Sequence, residues 1–145
     1  MVMVHATCIA FDGHGILLRG PSGSGKSDLA LRVIDRGAQL VADDQVILVR
    51  DGPHMIASAP TSLYGLIEIR GLGIMRMVDV PAEARIALVA DMTEPHAIDR
   101  LPGQRHCDID GVSLPWLMLA PFEASAPAKL RFALMAALEP ERLAP

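Results

Sequence analysis

Cysteine, aromatic rings and long apolar runs are all scarce in this 145-residue sequence, and each scarcity removes a class of protein. Cys8 and Cys107 are the only cysteines, 99 positions apart. That excludes a disulfide scaffold and leaves no pair at metal-ligand spacing, so both read as small buried apolar residues. Aromatic residues make up 3% of the chain, too few to stack successive bases of a single strand. Acidic residues outnumber basic ones 17 to 13, giving a net charge of -4. The positive field that drives nucleic-acid binding is therefore missing, and no nucleic-acid partner is expected. Apolar runs such as 114–120 stop well short of the roughly 20 residues that cross a bilayer. With no basic amino-terminal segment leading into a long apolar stretch, the sequence points to the cytoplasm and to no membrane partner. Internal repeats and low-complexity linkers are also absent.

What is present suits a packed core. Hydrophobic residues make up 51% of the sequence and the mean hydropathy is +0.34. A chain of this length buries roughly 68% of its unfolded surface, which predicts one domain spanning 1–145. Residues 2–11, rich in β-branched and apolar types, read as a strand entering a hairpin at Asp12-Gly13-His14-Gly15. Ile16-Leu17-Leu18 continues as a second strand. Leu29, Ala30, Val33 and Ile34 then repeat at helical spacing, and Gly37 stands where a left-handed cap is expected. Residues 39–42 and 46–49 read as strands, the first closed by Asp43-Asp44 and the second by Asp51-Gly52-Pro53. Further on, 66–69 and 85–90 look extended, Asp110-Gly111 marks a turn, and Leu130, Leu134, Ala137 and Leu138 share one face of a closing helix. Short strands, hairpins and two helices predict an α/β fold. Its sheet is of mixed direction, because hairpins require antiparallel pairs.

The strongest chemical signal is Gly20-Pro21-Ser22-Gly23-Ser24-Gly25-Lys26-Ser27, which fits the phosphate-loop pattern in full between a strand and a helix. Glycines let consecutive amide N–H groups turn toward phosphate oxygens, and the following helix adds its partial positive charge. Lys26 is then placed to reach the terminal phosphates, and the Ser27 hydroxyl to hold Mg²⁺. Lys26 is one of two lysines in a chain that otherwise uses arginine. The pattern says that a nucleotide or polyphosphate binds, not what becomes of it. For that the candidates are Asp43 and Asp44, one helix and one strand further on. On an extended backbone their side chains point to opposite faces, so that one orients the metal or its water while the other accepts a hydroxyl proton. A polar turn between strands is the competing reading of the same dipeptide.

Three segments together resemble the catalytic domain of the HPr kinase/phosphorylase family, whose members phosphorylate a serine of the phosphocarrier protein HPr and can reverse the reaction. They are residues 15–44 with the loop and Asp43-Asp44, the string Ile67-Glu68-Ile69-Arg70-Gly71-Leu72-Gly73-Ile74, and Ile98-Asp99-Arg100-Leu101. The resemblance covers about residues 4–105, and its middle string is far more selective than the phosphate loop. It implies ATP as donor, HPr or an HPr-like protein as acceptor, and Asp44 as the group that takes the serine proton. It also implies Lys26 on the transferring phosphate, Ser27 and Glu68 on Mg²⁺, Arg100 as a further catalytic arginine, and His5 at the active site. Local readings compete with several of these. His5 can be an ordinary strand residue, Arg100 a surface charge, Glu68 a partner of Arg70, and Gly71 and Gly73 turn glycines rather than a close-approach loop.

The sequence departs from the family pattern at Ala6, where the family has glycine, and between 74 and 85, which is shortened. The Arg-Pro-Gly-Arg-Asn stretch linked to the reverse phosphorolysis has no match. Residues 126–131 offer only Lys129 and Arg131 in its place. The chain reads as a short form of the family's catalytic domain, without the parts of longer members that assemble them, and whether it forms a homo-oligomer stays open. Two other functions fit a phosphate loop. A small-molecule kinase needs an acceptor pocket and a lid with arginines, and no arginine cluster suits that role. A non-catalytic ATP sensor has no need of Lys26, Ser27, Asp44 and Glu68 together.

Overall fold

The computed structural model describes residues 1–145. A long strand, β1 (Val2–Phe11), turns through Asp12-Gly13 into β2 (His14–Arg19). Positive φ values of 48° and 81° at Asp12 and Gly13 make this a two-residue hairpin turn whose twist matches the strands. The turn is shorter than the sequence predicts, with His14 and Gly15 already in β2. Helix α1 (Lys26–Ile34) follows, and Gly37 ends it with φ 107°, as expected. Strands β3 (Gln39–Ala42), β4 (Gln45–Asp51) and β6 (Leu66–Ile69) occupy the predicted places, whereas β5 (His54–Ser58), which pairs antiparallel with β4, was not anticipated from the sequence.

Five other elements differ from expectation. Strand β7 (Gly73–Arg76) pairs with β6 as a separate two-stranded ribbon, and the sequence hid it because all four of its residues are exposed and show no core periodicity. Strand β8 (Ala84–Met92) outlasts the predicted 85–90 at both ends. Strands β9 (Arg105–Ile109) and β10 (Val112–Leu119) form a hairpin about Asp110-Gly111, of which only the turn was legible. Helix α2 (Ala126–Leu138) buries Leu130 and Leu134 against its own sheet but leaves Leu138 exposed, because steps of four residues drift around a helix of 3.6 residues per turn and Ala137 continues the packed face instead.

Pairing closes on itself. β2 pairs with β1, β1 with β4, β4 with β5, β5 with β8, and β8 returns in parallel to β2. Ala6, Cys8, Leu17, Val46, Met55 and Val89 fill the inside of this ring. On the outer side Ile9, Ile16, Leu18 and Leu88 meet Leu29 and Val33 of α1 and Leu130 and Leu134 of α2. Strands β1 and β8 each change partner along one edge, β1 from β4 to β3 and β8 from β5 to β10. The parallel trio β2, β8 and β10 therefore delivers three carboxyl ends to one rim. Asp91 locks the trio there. Its carboxylate takes two hydrogen bonds from Arg19 of β2 (2.7 and 2.9 Å) and one from Trp116 Nε1 of β10 (2.8 Å). No helix is long and apolar enough to cross a membrane.

Two measurements test this packing. Leu130→Ala should lower the unfolding free energy by about 2–5 kcal/mol, the cost of a core cavity, while Leu138→Ala should cost no more than about 0.5 kcal/mol in urea denaturation. Equal losses would place the helix differently on the sheet. Burial pushes the Cys8 thiol from 9.0 up to about 12. Above pH 9 the unfolded chain therefore sheds a proton that the folded chain keeps, so this residue makes stability fall as pH rises, by up to about 1.4 kcal/mol per pH unit. Comparing unfolding at pH 8 and pH 10 in the native chain and in Cys8→Ala should show a shallower fall in the variant.

Candidate active site

The loop from Gly20 to Gly25 joins β2 to α1 at the rim where the parallel strands end. Gly25 opens the helix with φ 103°, and a side chain there would strike Pro121 and the Phe122 ring at 2.9 Å. Only glycine meets both demands. Leu29 N–H donates to Gly25 C=O (2.9 Å), which starts the helical ladder at the loop. Lys26 folds back over the loop, its Nζ donating to the carbonyls of Gly20 (2.5 Å) and Pro21 (3.0 Å). Burial pushes its ammonium below the usual lysine range, and the nearby Asp43 and Asp44 carboxylates pull it back up. Ser24 Oγ is buried in the same loop with no partner.

The acidic pair sits in the gap between β3 and β4, opposite Ala6 and Thr7 of β1. Its backbone is not extended, contrary to the sequence reading. Asp44 has φ 71°, and Gln45 N–H reaches back to Asp43 C=O (2.8 Å) across it. This tight turn separates the two carboxylates, in place of strand alternation. Asp43 is buried. Its Oδ1 accepts from Thr7 Oγ1 (3.0 Å) and from Ser27 Oγ (2.9 Å), while Oδ2 lies 3.4 Å from the backbone N–H of Glu68. Asp44 points outward, 63% exposed, and its Oδ1 accepts from His5 Nε2 at 3.1 Å. His5 and Thr7 serve the two aspartates in parallel because residues two apart on a strand share a face.

The structure thus brings together His5, Lys26, Ser27, Asp43 and Asp44, with Glu68 joined through its backbone. The Glu68 side chain is exposed, and no ion pair ties it to Arg70. Arg100 lies exposed on the loop between β8 and β9, and no hydrogen bond or ion pair links it to the group. Gly71 lies in the turn of the β6–β7 ribbon and Gly73 opens β7 opposite Ile69. Both have positive φ, and within this chain nothing lies within 4 Å of a side chain placed at either. Lys129 pairs with Glu123 (3.0 Å), and Arg131 stacks on Phe11.

Sequence reasoning missed Thr7, although a lone hydroxyl two residues after His5 in an apolar strand was a usable signal. It also missed Arg32 and Phe122. Arg32 of α1 donates to Asp28 (3.1 Å) and to the carbonyls of Pro121 and Glu123, and so holds the segment after β10 against the loop. No local pattern announces a contact across 89 residues.

The family model described as the HPr serine kinase C-terminal domain matches residues 1–123, beyond the 4–105 over which the resemblance was legible. The HPr kinase/phosphorylase of Geobacillus kaustophilus is 43% identical over 96 residues, 61% of this chain and 31% of that protein. The HPr kinase/phosphorylase of Lactobacillus acidophilus is 36% identical over 123 residues, 77% of this chain and 38% of that one. The chain thus spans about a third of the length of these curated relatives. Among solved structures, the Hpr(Ser) kinase/phosphatase from Coxiella burnetii superposes with a TM-score of 0.85 at 26% identity, covering 99% of this chain and 100% of that one. With its sheet, its loop and its acidic pair in this arrangement, the chain belongs to the HPr serine kinase C-terminal domain family.

Proposed function

We propose that the chain is a protein serine kinase that transfers the terminal phosphoryl group of ATP to a serine of HPr or an HPr-like phosphocarrier. The observation that carries this reading is the division of labour between the two aspartates. Asp43 is buried and engaged by Thr7, Ser27 and Glu68, whereas Asp44 projects from the surface beside the phosphate loop with His5 as its one side-chain partner. A side-chain exposure of 63% at Asp44 and 48% at His5 suits an acceptor that approaches as part of a protein surface. A small-molecule kinase would need an enclosed acceptor pocket at the same place.

The chemistry follows from these positions. Asp44 takes the proton from the serine hydroxyl as the new O–P bond forms, and the bond between the β,γ-bridging oxygen and the terminal phosphorus breaks to release ADP. His5 holds Asp44 in orientation. Lys26 stabilises charge on the transferring phosphoryl oxygens. The oxygen donors of Ser27 and Glu68 suit a hard cation such as Mg²⁺, and Ser27 spends its proton on Asp43, which leaves its oxygen lone pairs free to face the metal. When bound, Mg²⁺ would neutralise phosphate charge. Such a transfer draws on ATP and a phosphocarrier of the cytoplasm, where both free cysteines stay reduced. Phosphorolysis in the reverse direction would use the same Asp44 as proton donor.

The test is transfer of labelled phosphate from ATP to purified HPr. Asp44→Asn should lower the rate by about 10²-fold or more while leaving ATP binding unchanged, since a general base is lost and no phosphate contact is. A wild-type rate in that variant would remove Asp44 from its role. No phosphoserine with any protein acceptor, together with ATP binding that raises the melting temperature, would favour the sensor.

A further inference from the structure

The segments that follow the three parallel strands meet at the rim. Residues 20–25 follow β2, 92–95 follow β8 and 120–123 follow β10. Between them lies an open cavity of about 600 Å³, lined among others by Pro21, Ser24, Met92, Glu94, Pro121 and Phe122. It adjoins the phosphate loop on the side away from β1 and β3, which carry His5 and face Asp43-Asp44. A smaller groove of about 290 Å³ beside α2 shares no residue with it.

Phe122 is 71% exposed, an unusual cost for an aromatic ring in a chain with so few. Its position is held. The ring edge touches the space beside Gly25, and Arg32 pins the carbonyls on either side of it to α1. A flat apolar face is therefore fixed at the mouth of the loop. Ser24 Oγ, buried and without a partner, lies in the same wall, and the Glu94 carboxylate is free of any ion pair. In-line transfer requires the acceptor oxygen and the leaving group to lie on opposite sides of the phosphoryl group. With Asp44 on one side of the loop, the rest of the donor must extend to the other.

We infer that this cavity is the nucleoside seat of the donor, with the base stacked on Phe122 and the ribose hydroxyls directed to Glu94. The inference rests on reading the loop as a nucleoside-triphosphate site. Stacking on a phenyl ring is tolerant of base identity, so the seat favours a nucleoside without sharply selecting adenine.

Calorimetric titration of the purified chain with Mg²⁺ and either ATP, GTP or inorganic tripolyphosphate tests it. ATP should bind about 10-fold or more tightly than tripolyphosphate, with GTP within about 5-fold of ATP, as expected of one base–aromatic stack. Phe122→Ala should bring ATP down to the tripolyphosphate affinity and change tripolyphosphate binding by less than about two-fold, while Phe122→Tyr restores the difference. Because the ring is exposed, circular dichroism melting of Phe122→Ala should match the native chain. An ATP-to-tripolyphosphate ratio unchanged in Phe122→Ala overturns the nucleoside seat and leaves the phosphate site standing. Failure of both ligands to bind the native chain, with Lys26→Met no different, overturns the two together.

Discussion

The buried carboxylate of Asp43 is the joint on which the site depends. A carboxylate taken out of water is costly unless hydrogen bonds replace its hydration. Here the replacements come from three places remote in the chain: Thr7 in β1, Ser27 in the first turn of α1, and the backbone of Glu68 in β6. Each donor is held where it is because Asp43 needs it, so the phosphate loop, the acidic turn and the ribbon cannot drift independently. Fixing Asp43 also frees Asp44. The turn that buries one carboxylate sends the next outward at φ 71°, a conformation that an aspartate tolerates better than most residues.

The sheet supplies the second constraint. By pairing β8 with β5 and β10 on one edge and β2 on the other, the fold closes a ring and still leaves three parallel strands ending together. Asp91 ties those ends through Arg19 and Trp116, next to the first residue of the loop. One rim then carries two unlike neighbourhoods. On the β1 and β3 side stand His5, the exposed Asp44 carboxylate and the Ser27 hydroxyl. On the β8 and β10 side stand an aromatic face and a cavity, held to α1 by Arg32. The proposed phosphoryl transfer would use that polarity, because acceptor and leaving group must flank the phosphate.

Much of this was legible from residues alone. The loop, α1, the Asp-Gly hairpins and the buried strands all carry short-range signals: turn residues with positive φ, apolar spacing, a cap glycine. Lys26, Ser27, Asp43 and Asp44 were found by pattern and His5 through the family resemblance, and the structure brings the five together. What escaped lacked such signals. β7 has no buried face, β9 and β10 carry weak alternation, and Leu138 drifts out of the helical face that Leu130, Leu134 and Ala137 turn to the sheet. The reading of Asp43-Asp44 as extended failed because two strands aligned along one edge of β1 left a turn between them.

The sequence by itself determined the local chemistry: a glycine-rich turn into a helix that begins Lys-Ser, two adjacent carboxylates, and a composition with neither the charge for nucleic acid nor the cysteines for a disulfide scaffold. Those depend on residues within a few positions of one another. The tertiary structure alone decided which aspartate is buried and which faces out, that Thr7 and Glu68 complete the first, and that Phe122 stands over the loop. Each of these rests on contacts between residues 25 to 97 positions apart, set by strand pairing and helix packing across the whole chain, which no local pattern encodes.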